Sequence, residues 1–152
     1  MDFYLVRHGE AKSEAEDPRR PLSDQGRKEV ERVACTAGKR SLEVSQILHS
    51  DKLRARETAE ILARYLSPPG GVHEIKGLGP QDDPLVAKAE LEAAQSSLML
   101  VGHLPHLGRL VSMLVTEDPD KEVVDFPAAA IVCLSHGEGV WKVCWTLISA
   151  SA

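Results

Sequence analysis

The stretch LMLVGHLPHLGRLV, residues 98–111, decides the architecture. Leu98 to Val101 is a short unbroken apolar run without polar alternation, the pattern of a strand buried on both faces of a parallel sheet. Gly102 and His103 end it, and a helix is expected over about 105–115. A strand that stops at a histidine and hands over to a helix raises a functional question, because ligands of open parallel sheets bind at C-terminal strand ends.

The same pattern recurs on either side. Residues 3–7 form a strand ending in Arg7, His8 and Gly9. A polar loop over 10–22 follows, and Ser23 is placed to cap a helix whose buried face carries Val30, Val33, Ala34 and Ala37, with Gly38 as its stop. Residues 44–50 are a second strand. From Lys52, the spacing of Leu53, Ala55, Ala59, Leu62 and Leu66 predicts a helix closed by Pro68 to Gly71. On that helix Arg56 and Arg64 are expected to pair with Glu60. His73 to Lys76 is a short strand, and a helix is expected over about 84–95. Residues 129–135 and 140–147 read as a hairpin, with Trp141 and Trp145 on one face of its second strand. The order β-α-β-α-β-α-β-α-β-β implies an α/β fold: three layers, α/β/α, a mostly parallel central sheet, and one antiparallel strand near an edge. A chain of 152 residues is expected to form a single domain over 1–152, burying roughly two-thirds of its unfolded surface.

Composition narrows the function classes. The 43% hydrophobic and 27% charged residues are those of an ordinary globular chain. No apolar run approaches the ~20 residues that cross a bilayer, and the N-terminus lacks a basic leader, so no membrane role and a cytoplasmic location are expected. A net charge of −5 and only 4% aromatic residues argue against nucleic acid as a partner. Cys35, Cys133 and Cys144 are odd in number and lack metal-type spacing, and are read as reduced thiols in or near the core.

The chemistry lies at the strand ends, where Arg7, His8, Ser50 with Arg54 just beyond it, and His103 meet on one predicted edge. Core packing does not require two histidines and two arginines there. A phosphoryl group spreads charge over three oxygens, and its transfer depends on positioning and charge stabilisation. Arg7 and Arg54 suit a clamp, because the guanidinium fork stays charged and donates in pairs. A neutral His8 offers a ring nitrogen as in-line nucleophile, provided that its other nitrogen donates a hydrogen bond that sets the tautomer. His103 is placed to donate to the phosphoryl oxygens. Gly9 and Gly102 are expected to let backbone approach the ligand closely.

RHGEA after a strand, then SDKLRARETAEIL, then LVGHLPHLGRLV resemble, in order, the three motif blocks of the histidine phosphatase superfamily, also called phosphoglycerate-mutase-like. Together they span residues 3–114. The short length and the segment RPLSDQG, Arg20 to Gly26, are most similar to the SixA branch, the phosphohistidine phosphatases. The resemblance implies a metal-independent phosphatase with no cofactor, in which His8 is the nucleophile, Arg7 and Arg54 bind phosphate, and His103 is the second catalytic histidine. It further implies Arg20 as a phosphate or substrate contact and a phosphorylated protein as partner, such as a signalling phosphorelay histidine domain. Asp51 departs from the pattern, standing where relatives often carry proline. The helical insert that supplies a proton donor in mutases and many monoester phosphatases is missing, since only 48 residues (55–102) separate Arg54 from His103. Asp82 and Asp83, only slightly ahead of Glu10, are the candidates for a replacement acid. An alkoxide leaving group needs strong acid help, whereas a protonated phosphoramidate leaves as neutral imidazole and needs little. The lidless site therefore favours phosphohistidine on a protein.

Two other functions remain open at this level: a general small-molecule phosphomonoesterase, and a phosphohistidine-binding adaptor with vestigial catalysis. His103 and His106 form H-x-x-H, but with Pro105 between them and no third ligand, a metal site is not expected. His106 is read instead as a helix-start residue lining the mouth of the site. His49, His73 and His136 are read as structural or exposed.

Overall fold

A computed structural model describes residues 1–152. Its elements are β1 (Asp2–Arg7), α1 (Asp24–Lys39), β2 (Gln46–His49), α2 (Leu53–Leu66), β3 (Val72–Glu74), α3 (Pro84–Ala93), β4 (Leu98–Gly102), α4 (His106–Thr116), β5 (Ile131–Gly137) and β6 (Val140–Leu147), with a final 3-10 turn. The six strands form one sheet in the order β3-β2-β4-β1-β5-β6. Parallel ladders join β3 to β2, β2 to β4 and β4 to β1, while β5 runs antiparallel to both β1 and β6. Thus β5 alone runs against the others, next to the edge, as the alternation of elements implies.

Each face of the sheet carries its own core. Tyr4, Val6, Ile47, Met99 and Val101 point to the side covered by α1 and α2. Phe3, Leu5, Leu48, Leu98 and Leu100 point to the side covered by α3 and α4. Adjacent strand residues facing opposite cores explain why β1 and β4 read as continuous apolar runs. All five residues of β4 are buried, and β1 and β2 flank it, so the ends of these three strands lie side by side.

Local chemistry sets the boundaries. The Ser23 side chain caps α1 by accepting from the Gly26 N–H at 3.0 Å. Gly38 does not stop α1, which runs on to Lys39. It is instead a close-approach residue, because a Cβ there would meet the Tyr65 carbonyl of α2 at 3.2 Å. Asp83 caps α3 with Pro84 in its first turn. The hairpin between β5 and β6 turns through Glu138 and Gly139, both at positive φ, as a two-residue turn requires.

Two expectations on side-chain placement fail. Trp141 and Trp145 lie on opposite faces, Trp141 against Phe3 at 5.4 Å and Trp145 against Tyr4 at 6.0 Å between ring centroids. The cause is a β-bulge: Cys133 pairs with Trp145 but Leu134 with Val143, so one extra residue, Cys144, reverses the alternation. Arg56 does pair with Glu60 at 2.9 Å, but Arg64 reaches Glu31 on α1 instead. The cysteines are unpaired. Cys133 is buried as expected, whereas Cys144, pushed out by the bulge, is exposed. No helix is long and apolar enough to cross a membrane.

Candidate active site

Four backbone hydrogen bonds bring the strand ends together. The His8 N–H donates to the Gly102 carbonyl at 3.0 Å and the Ser50 N–H to the Val101 carbonyl at 3.3 Å. Ala129, in the left-handed region at φ 65°, donates to the carbonyls of both Arg7 and His8. The rings of His8 and His103 consequently face each other with centroids 4.9 Å apart, tilted by 57°.

Each histidine is held in a defined state. His8 Nδ1 lies 2.6 Å from the Gly9 carbonyl, which can only accept. The hydrogen therefore sits on Nδ1, and the Nε2 lone pair is left free. His103 Nε2 lies 2.6 Å from Ser50 Oγ. That hydroxyl already accepts the Lys52 N–H at 3.3 Å, so its own hydrogen is available to Nε2, which suits the Nδ1–H tautomer of His103. His103 Nδ1 is buried without a partner, a donor left for something not part of the chain.

The charges reinforce this. Burial pushes His8 down to about 4, helped by the nearby charges of Arg54, Arg7 and Arg20 and opposed by the Gly9 hydrogen bond. Burial, with His8 and Arg54 beside it, pushes His103 down to about 3. Both rings are neutral at neutral pH. Arg54 is itself held below its usual range by burial and by Arg20. No carboxylate forms an ion pair with Arg7, Arg20 or Arg54. The Nε atoms of Arg7 and Arg54 are buried and unpartnered, although Arg7 Nη1 is anchored on the Phe126 carbonyl at 3.0 Å. Three guanidinium groups around two neutral imidazoles, with no carboxylate in ion-pair contact and only Asp51 acting on Arg54 from farther off, make an electropositive recess with the chemistry of an oxyanion site.

The recess has a cost visible in solution. An unfolded histidine titrates near 6.5, so between that pH and about 4 the unfolded chain binds protons that folded His8 and His103 refuse. Stability therefore falls as pH drops through this window. The melting temperature is expected to be lower at about pH 5 than at about pH 7, with a weaker pH slope in His103→Asn. A pH-independent melting temperature contradicts the buried neutral pair.

Sequence reasoning missed Thr58. Its hydroxyl accepts the Gly9 N–H at 3.1 Å and donates to the Arg54 carbonyl at 2.8 Å, tying the His8 turn to the helix that carries Arg54. The available signal was a threonine one helical turn after an arginine, where back-bonding to the i−4 carbonyl is common. Thr58→Val leaves the buried Gly9 N–H without a partner, at about 1–3 kcal/mol of stability. Turnover is expected to fall about tenfold with little change in KM, about the cost of a modest misplacement of a reacting group. Thr58→Ser should restore it, and a rise in KM alone would contradict this positioning role.

The remaining expected site residues fare unequally. Arg20 is half-buried at positive φ, with Nε on the Lys12 carbonyl at 3.0 Å, and its charge is felt at both His8 and Arg54. Gly9 and Gly102 do not serve ligand approach. The Gly9 N–H is taken by Thr58 and its missing Cβ makes room for Val30, while Gly102 packs on the Leu78 carbonyl. Asp82 accepts the Gly79 N–H at 2.7 Å and Asp83 caps α3 through the Leu85 N–H at 2.9 Å, so both exposed carboxylates are engaged in local structure. Glu10 is exposed, and it is its backbone carbonyl that accepts from Ser23. None of the three is drawn into the recess by a hydrogen bond. His106 does not line the mouth: it is fully buried, with both ring nitrogens unpartnered. His49 is buried with Nδ1 on the Ser50 carbonyl, and His136 stacks on Trp141.

A sequence model of the histidine phosphatase superfamily (branch 1) matches residues 3–78, which include Arg7, His8 and Arg54. The chain belongs to the histidine phosphatase superfamily. Its similarity extends past that match to His103 and beyond. Phosphohistidine phosphatase SixA of Escherichia coli (strain K12) is 27% identical over 147 residues, 93% of this chain and 91% of that protein. An uncharacterized protein of Picosynechococcus sp. (strain ATCC 27264 / PCC 7002 / PR-6) is 40% identical over 116 residues, 71% of this chain and 69% of its own. The solved structure of the protein histidine phosphatase SixA complexed with tungstate matches with a TM-score of 0.87 at 28% identity, covering 99% of this chain and 98% of that one. Within the superfamily the chain is SixA-like.

Proposed function

We propose that this protein is a metal-independent phosphatase that removes the phosphoryl group from phosphohistidine on another protein. The observation that carries the reading is the state of His8: Nδ1 bonded to the Gly9 carbonyl, Nε2 free, and three arginine charges close by. In the first step His8 Nε2 bonds to phosphorus as the phosphorus–nitrogen bond to the substrate imidazole breaks. That imidazole leaves neutral, its ring nitrogen having been protonated from solvent. In the second step water attacks phosphorus, the bond to Nε2 breaks, inorganic phosphate departs, and the surplus proton passes to solvent. Arg7 and Arg54 hold the transferring group, Arg20 extends the positive field, and His103 Nδ1–H donates to a phosphoryl oxygen as charge develops. No step calls for a strong acid, which agrees with Asp82 and Asp83 being occupied as turn and cap residues. The guanidinium groups supply the charge stabilisation that a divalent ion supplies elsewhere.

Phosphate release from a phosphohistidine-bearing protein and from a panel of phosphomonoesters, each with and without chelator, tests the proposal. Preference for phosphohistidine, unchanged by EDTA, is expected. Preference for monoesters would keep the histidine chemistry but move the substrate. Loss of activity with EDTA, restored by zinc or magnesium, would overturn the metal-free step.

A further inference from the structure

Beside the recess lies a groove of about 490 Å³ between the ends of β2 and β3 and the start of α3. Ser50, which holds His103, is one of its lining residues, so the groove adjoins the residue that positions the second histidine. Its apolar wall is Ile75, Leu78 and Val86; Val86 is 52% exposed, and so is its neighbour Leu85 at 53%. Its rim carries the carboxylates of Asp51, Glu74, Asp82 and Asp83 against one ammonium, Lys76. None of the four carboxylates forms an ion pair. His106 is fully buried, and Gly77, Asp82 and Asp83 of the groove are among the groups acting on it.

Apart from Ser50, the hydrolysis itself uses none of this. An acidic rim next to an arginine-lined anion site does nothing for a free phosphate ester, whose charge it opposes. It suits a ligand that is anionic at one point and cationic a few residues away. We propose that the groove docks the residues flanking the phosphohistidine in the substrate protein, a short segment carrying lysine or arginine with one apolar side chain. The inference rests on the phosphohistidine reading above. An extended chain advances at most about 3.3–3.6 Å per residue, so the cationic residues lie within a few positions of the phosphohistidine. Asp51, the departure from the superfamily's pattern, then belongs to the rim, where its carboxylate meets the partner rather than the phosphate.

Three substrates separate docking from chemistry: phosphoramidate, a peptide with one phosphohistidine flanked by lysines, and the same peptide flanked by glutamates. At low salt, wild type is expected to turn over the lysine peptide about tenfold better in kcat/KM, with the advantage shrinking toward 1 M salt, where screening acts within about 3 Å. Glu74→Lys should remove the preference, and Val86→Ser should lower kcat/KM for both peptides several-fold. Both variants should leave phosphoramidate turnover unchanged, which also establishes that they fold. Equal use of the two peptides by wild type, or a parallel loss on phosphoramidate in Glu74→Lys, would overturn the docking site while leaving the phosphatase reading standing. Failure of wild type on all three substrates would overturn both.

Discussion

His8→Ala is expected to lower phosphate release from a phosphohistidine protein by at least about a thousandfold, the scale on which removing a nucleophile acts when the rest of the site survives. The arginine clamp and His103 remain in the variant, so substrate is still bound and the loss appears in kcat rather than KM. The fold should be intact, because the backbone of His8, which makes the sheet bond to Gly102, is retained and its ring bonds only the adjacent carbonyl. The desolvation that pushes His8 down to about 4 disappears with the ring, so His8→Ala should also be less acid-sensitive than wild type. Turnover within tenfold of wild type would remove His8 from the mechanism.

Arg54→Met carries the second large effect, and it has two signs. Losing one charged donor from a phosphoryl clamp costs about 10²–10³ in rate, because the group acts where charge develops. Arg54→Lys should rescue little of this, since an ammonium lacks the planar fork. Stability is expected to move the other way. The Arg54 Nε is buried without a partner, and burial and Arg20 oppose its charge more than Asp51, which forms no ion pair with it, supports it. Replacing that group with an apolar side chain relieves repulsion and desolvation, so the melting temperature should rise while activity collapses. A fall in both would mean that Arg54 is a structural residue after all.

These opposite signs reflect how the fold loads one end of the sheet. Strands β1, β2 and β4 lie side by side, with Arg7, His8, Ser50 and His103 at their ends and Arg54 in the first turn of the helix after β2. That arrangement was legible in the sequence because its signals are local: unbroken apolar runs for buried strands, amphipathic spacing for α1 and α2, and a polar residue where each run stops. The positions of Arg7, His8, Arg54 and His103 followed from those runs.

What was not legible depends on contacts across the chain. Thr58 and Gly9 are 49 residues apart, Ser50 and His103 are 53 apart, and Arg7 reaches a backbone carbonyl 119 residues away. A carbonyl acceptor leaves no trace in residue type, and a threonine inside a helix reads as ordinary packing. Trp145 was misplaced for a related reason, since the bulge at Cys144 is an irregularity of pairing that period-two reasoning assumes away. Gly9 shows the opposite failure. A glycine beside a nucleophile suggested ligand approach, yet its space is filled by Val30 and its N–H by Thr58. His106 misled because a histidine at a helix start usually faces solvent, whereas here α4 turns it inward.

The most direct test of the account is to trap the enzyme-bound phosphoryl group. A phosphohistidine protein labelled with radioactive phosphate is mixed with enzyme, quenched in base where phosphohistidine survives, and the label mapped by peptide. The account predicts stoichiometric label on the peptide containing His8, absent in His8→Ala and persisting longest when His103 is replaced. Label on His103, or rapid phosphate release from wild type with no labelled enzyme at any time, would contradict it.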